Sequence, residues 1–148
     1  APSASNGQPW HFTVIQNQEL LRHINDTVRE QLAKSDVEWM RNSGLNPDFQ
    51  ATYNAPTLII VSGRKTGMAW QADCAFAMEN MMLAAESLGI GSVCLGMVKF
   101  IFDQNNVMEK LQMPEGYEPF YGIVFGYKPD DKTIEAPKRN MDVVNYIR

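Results

Sequence analysis

Met68 to Ser92 reads MAWQADCAFAMENMMLAAESLGIGS. Ala72, Ala75, Phe76, Met78, Met82, Leu83 and Ala85 spread apolar side chains over much of a helix circumference, which places a helix from about Met68 to Leu88 at the centre of a protein rather than on its surface. Gly89 is positioned to stop it as the glycine just past the last turn. Gly91 to Leu95 follows as a short strand. Gly96 then permits close backbone approach or unusual dihedral angles.

Outward from this helix, the chain alternates strands and helices. Trp10 to Ile15 (WHFTVI) alternates aromatic and β-branched residues, as a strand does. Asn17 can cap the next helix, with Glu19 favourable in its first turn. Leu20, Ile24, Val28 and Leu32 form one apolar stripe running to about Ala33. Asp36 to Arg41 can add a helical turn, and Ser43 to Tyr53 reads as a loop. Thr57 to Ser62 (TLIIVS) is a nearly continuous apolar run, the pattern of a strand covered on both faces. Lys99 to Leu111 is predicted as a helix with Phe102, Val107, Met108 and Leu111 in the core. Glu118 to Tyr127 is the last core strand. From Lys128 onward the chain is polar and contains prolines until Val143-Val144, so this tail cannot build a core and is expected to lie on another surface. Helices interleaved with three or four strands favour a layered α/β or α+β sandwich, without securing a purely parallel sheet.

The chain has 148 residues, 45% of them hydrophobic, with 13 Lys and Arg against 17 Asp and Glu. That length suits one domain, here 1–148. Mild acidity argues against nucleic acid, whose binders show a basic stripe, and against an anionic membrane surface. No apolar run is long enough to span a bilayer. Cys74 and Cys94 form neither a CxxC nor a disulfide framework, so a reduced, cytoplasmic thiol pair is the expected state.

Familiar catalytic constellations are absent from the sequence. His11 and His23 lie in different elements with no metal-ligand spacing. Gly89-Ile90-Gly91-Ser92 follows a helix, whereas a dinucleotide-binding glycine turn follows a strand. Asp130-Asp131 and Glu115/Glu118 sit in turn contexts that favour solvent. Cys74 reads as a small core residue; Cys94, beside glycines, is open to either a core or a functional role. Lys138-Arg139 suits either a plain surface or a phosphate contact.

Four stretches in order resemble the FMN-dependent nitroreductase family. Pro2-Ser3-Ala4-Ser5-Asn6-Gly7-Gln8-Pro9-Trp10 is similar to its PSxxNxQPW loop. Asn54-Ala55-Pro56 with the following strand resembles its next element. Asp73 to Ser92 resembles its central helix and glycine loop. Pro114 to Pro119, Gly122 to Tyr127 and Lys128-Pro129 resemble its closing strand. The resemblance implies a three-layer α-β-α sandwich of the α+β class with a mixed, mainly antiparallel sheet. It implies an intertwined homodimer with FMN at the subunit interface and the 128–148 tail docked on the partner.

The resemblance also implies roles for single residues. Lys138 and Arg139 approach the FMN phosphate, and Ser3 and Ser5 supply hydroxyls from the other subunit. Pro2, Asn6 and Gln8 meet the isoalloxazine edge. Leu95 and Gly96 face the flavin N5. The plain alternatives are a surface turn for 2–9 and a strand-end glycine for Gly96. No side chain is assigned as catalytic, because the flavin carries the chemistry, and no metal is implied. The implied activity is ping-pong transfer of electrons from NAD(P)H through flavin N5 to nitroaromatic or quinone acceptors. Ser43 to Tyr53, with Trp39 and Phe49, is the expected substrate-facing segment. The family normally opens with an Arg-Arg-Ser-x-Arg helix that these residues do not include, which implies either an upstream piece or a protein that binds flavin weakly, differently or not at all. The alternatives are a flavin-binding or oligomer-forming module without turnover, and a flavin-consuming or dehalogenating relative on the same scaffold.

Overall fold

Four apolar segments pair into one sheet in the computed structural model, which describes residues 1–65, 67–129 and 135–148. They are β1 (Trp10–Ile15), β2 (Thr57–Arg64), β3 (Ile90–Leu95) and β4 (Tyr117–Tyr127). Their spatial order is β1-β2-β4-β3, and all three pairings are antiparallel. The mainly antiparallel expectation holds, with no parallel pairing among the described strands. β2 and β4 are central, which explains the continuous apolar run of Thr57 to Ser62. Pro119 falls where the β2–β4 register jumps, Val61 opposing Tyr121 and Ser62 opposing Pro119. A proline has no N–H for a ladder, so a bulge is where it fits.

The pleat sends alternate residues to two cores. Leu58, Ile60 and Val124 face one side with Leu21, Ile24, Val28 and Leu32 of α1 (Gln18–Ala33). Val61 and Ile123 face the other, against Cys74 and Met78 of a long helix (Trp70–Ser87). The result is the expected three-layer α+β sandwich. Asn17 caps α1 as predicted, its side chain accepting from the Leu20 N–H at 2.9 Å.

Three expectations change. The helical turn after Asp36 is a full helix, α2 (Glu38–Leu45), so Ser43 to Leu45 is not loop. α2 crosses α1 at Gly44, where a Cβ would stand 2.2 Å from the Ala33 nitrogen. The remaining 46–55 segment is tied down, with the Ala51 N–H donating to the buried Asn25 Oδ1 at 2.7 Å. The long helix, α3, buries one face only: Phe76 and Leu83 are 48% and 60% exposed. One sheet face lies against it, and its outer apolar side chains find no cover among the described residues. The predicted helix over Lys99 to Leu111 breaks into a 3-10 turn (Met97–Ile101), α4 (Asn105–Met108) and a second 3-10 turn (Glu109–Leu111). Extended Gln104 interrupts it. Three residues per turn place Val98 and Ile101 together in the core, while Phe102 and Met108 are only partly buried.

Asp130-Asp131 and residues 130–134 of the tail lie outside the described residues. Residues 135–148 have no regular structure and are exposed.

Candidate functional site

The N-terminal loop is held in a costly conformation. Ser5, Asn6 and Gln8 have φ of 51°, 54° and 43°, the left-handed region that costs a non-glycine residue of order 1–3 kcal/mol and persists only where its surroundings enforce it. The enforcing contacts are specific. The Ala4 N–H donates to Asp73 Oδ1 at 3.0 Å. Ser3 Oγ accepts from the Gln8 N–H at 3.1 Å. Gln8 Nε2 donates to Asn6 Oδ1 at 2.9 Å. The Arg64 N–H donates to the Pro9 carbonyl at 2.9 Å, clamping the loop to the end of β2. Asp73 is only 4% exposed and lies in the first turn of α3. Sequence reasoning gave it no role. Its signal was a carboxylate inside an apolar helix face, which needs a hydrogen-bond partner to be buried.

Among the described residues these contacts leave a defined set of donors and acceptors. Asn6 keeps its amide N–H groups and Gln8 keeps its carbonyl oxygen, while Ser3 retains its O–H. A carboxamide donor beside a carboxamide acceptor complements an imide edge, which carries both C=O and N–H groups. Ser5 is exposed beside them, as is Pro2. The expected loop residues are therefore gathered at one place.

Leu95 and Gly96 occupy the other edge of the sheet. Leu95 is buried at the end of β3, opposite Gly122. Gly96 is exposed and begins the 3-10 turn. A side chain there would meet the Tyr121 ring at 3.7 Å. Three strand spacings separate β1 from β3, roughly 14 Å. Within one chain the two groups are not brought together. Nor are Lys138 and Arg139, which lie on the exposed tail, where Arg139 Nη1 donates to the Pro137 carbonyl at 3.1 Å. The 46–55 segment precedes β2, at the opposite end from the loop clamped on Arg64. A 450 Å³ cleft between it and α1 is lined by Arg22, Asn25 and Arg29, but Asn25 is engaged with Ala51 and Arg29 lies 3.7 Å from Asp26.

The histidines have ordinary packing roles. His11 lies against Tyr117, centroids 5.2 Å apart, and His23 faces Asn106. Among the described residues no three His, Cys, Asp or Glu could hold a metal, and no helix is long and apolar enough to cross a membrane. Cys74 is buried, its thiol donating to the Ser62 carbonyl. Burial pushes its pKa up to about 11, with the Asp73 charge adding to the rise. Cys94 is exposed; burial still raises its thiol, and Lys99 pulls it back. Since the thiolate is the reactive form, a thiol reagent should label Cys94 alone in the folded protein and both after denaturation. Equal labelling rates in the folded state, read by mass spectrometry, would contradict this placement.

The architecture is that of α+β sandwiches solved with bound flavin. A Bacteroides fragilis nitroreductase crystallised with FMN has a TM-score of 0.87 to this structure at 31% identity, over 100% of this chain and 81% of that one. The chain belongs to the nitroreductase family, whose model matches residues 1–127. An Archaeoglobus fulgidus protein named for NADH dehydrogenase and NAD(P)H nitroreductase activity is 32% identical over 94% of this chain. The chain spans 73% of that protein's length, and 66% and 59% of the next two relatives. Iodotyrosine deiodinase bound to FMN and 3-iodo-tyrosine is also similar, with a TM-score of 0.74 at 25% identity, over 100% of this chain and 81% of that one.

Proposed function

We propose that the protein is an FMN-dependent oxidoreductase that passes electrons from NAD(P)H to small acceptors, nitroaromatics and quinones among them, as a homodimer. The carrying observation is the strained N-terminal loop, which holds free hydroxyl and carboxamide groups outward at a fixed place. Strained backbone of this kind clusters at active sites and ligand clamps. The donor set fits FMN: Asn6 and Gln8 match the imide edge of the ring, and Ser3 and Ser5 can donate to ribityl or phosphate oxygens. Lys138 and Arg139 supply the cations a phosphate needs, once the tail is docked.

FMN supplies, when bound, two-electron chemistry at N5. In a shared site, Asn6 and Gln8 of one subunit would orient the ring, and Gly96 of the other would leave room beside it, next to the Tyr121 ring. The overall balance is NAD(P)H, a proton and a nitro group giving NAD(P)⁺, a nitroso group and water; a quinone instead takes both electrons and two protons. Donor and acceptor use one face in turn, so reciprocal plots should be parallel. An intersecting pattern would overturn the two half-reactions. Bound FMN without NADPH oxidation would favour a flavin-binding module. The deiodinase neighbour favours a second reading, reductive dehalogenation, which release of iodide from an iodophenol would reveal.

A site shared between subunits explains why the loop and the Gly96 turn lie on opposite edges of one sheet. The uncovered Phe76 and Leu83 on α3 suit a second subunit. So do Met141, Val143, Val144, Tyr146 and Ile147 of the tail, 63–93% exposed. Deleting residues 129–148 should shift sedimentation towards monomer; a truncated protein still dimeric at low concentration would refute tail docking. Replacing Lys138 and Arg139 together by Ala should weaken FMN binding about 10- to 100-fold, since hydrogen bonds to charged groups contribute about 1.5–3 kcal/mol. The remaining binding should depend less on salt. An unchanged dissociation constant would remove the pair from the phosphate site.

A further inference from the structure

Lys99 stands on a rigid base beside the proposed flavin face. Its N–H donates to the Gly96 carbonyl at 3.2 Å, and its neighbours Val98 and Ile101 are buried. Its ammonium lies 4.1 Å from the centroid of the Tyr121 ring, the same ring that a Gly96 side chain would touch. Tyr121 is itself braced edge-on by Phe120 at 5.2 Å. Among the described residues no carboxylate lies within 4 Å of the ammonium, the ion pairs there being Arg29–Asp26, Lys65–Glu118 and Lys128–Glu86. The cation is close enough to pull down the thiol of Cys94, two residues before Gly96. An aromatic face holds a cation in place without neutralising it, so its charge stays available to a ligand.

We infer that Lys99 is a specificity-determining residue that recognises an anionic group on the substrate occupying the Gly96 side of the site. The inference rests on the proposed reading of Leu95-Gly96 as the flavin-facing turn. The anion can come from two sources, a carboxylate on the acceptor or the extra phosphate of NADPH.

The test compares purified wild-type protein with Lys99→Met and Lys99→Arg, after FMN binding has been measured in each. Acceptors are 4-nitrobenzoate and neutral 4-nitrobenzyl alcohol; donors are NADPH and NADH. Lys99→Met should lower kcat/KM roughly five- to tenfold for the more anionic member of one pair, the size of one partly screened ion pair. The loss should fall on KM, spare the other member, and be largely restored in Lys99→Arg. A change confined to the acceptor pair identifies a carboxylate; a change confined to the donor pair identifies the phosphate. Unchanged ratios in both pairs, or an equal loss for all four compounds, with FMN still bound, would overturn the role of Lys99 alone. Failure of the wild type to bind FMN would overturn the reading of the site and this inference with it.

Discussion

Asp73→Ala is expected to weaken FMN binding by roughly 10- to 100-fold while leaving the apo protein's Tm within a few degrees of wild type. The Asp73 carboxylate holds the Ala4 N–H at 3.0 Å, next to Ser5, Asn6 and Gln8 with their positive φ values. A hydrogen bond to a charged group contributes about 1.5–3 kcal/mol. Without it the loop relaxes, and the apparent dissociation constant rises as the competent fraction falls. Asp73→Asn keeps an acceptor oxygen and should retain most of the affinity. Fluorescence titration of FMN measures both variants. A dissociation constant for Asp73→Ala within twofold of wild type would show that the loop's conformation does not depend on this anchor.

Gly44→Ala should be the most destabilising of the single-methyl substitutions. Its Cβ would stand 2.2 Å from the Ala33 nitrogen, 2.6 Å from the Arg29 carbonyl oxygen and 2.7 Å from the Ala33 Cα. All three are backbone atoms of α1, so no side chain can rotate aside, and the two helices must separate. Met40 and Phe49, which pack on the core from this side, would lose contact. Overpacking of this kind costs about 3 kcal/mol, which for a chain of this size lowers Tm by about 10 °C. Calorimetry giving a shift under 3 °C would show that α2 is free to slide on α1.

How much of this was legible depended on whether a signal was local. β1 was bounded at Trp10 and Ile15 by alternation alone, Asn17 by its capping chemistry, and the end of α3 by Gly89, whose φ is 72°. The break at Gln104 was not legible, because Val98, Ile101, Val107 and Leu111 are apolar at spacings that a continuous helix also tolerates. Gly44 reads as a loop residue in sequence; only the approach of α1 shows why no side chain can stand there. The loop residues Pro2, Ser3, Ser5, Asn6 and Gln8 were found through resemblance, whereas their anchor Asp73 lies 69 residues beyond Ala4. α3 shows the same limit from the other side. Its apolar circumference indicates burial, yet the described residues cover only one face, and composition carries no information on which surface covers the other.

The most direct test of the proposed function is the visible spectrum of purified protein equilibrated with FMN and freed of excess. A flavin band that bleaches anaerobically with NADPH or NADH, and returns on adding a quinone or nitroaromatic, is the result expected here. Protein that remains colourless after equilibration with FMN would contradict it.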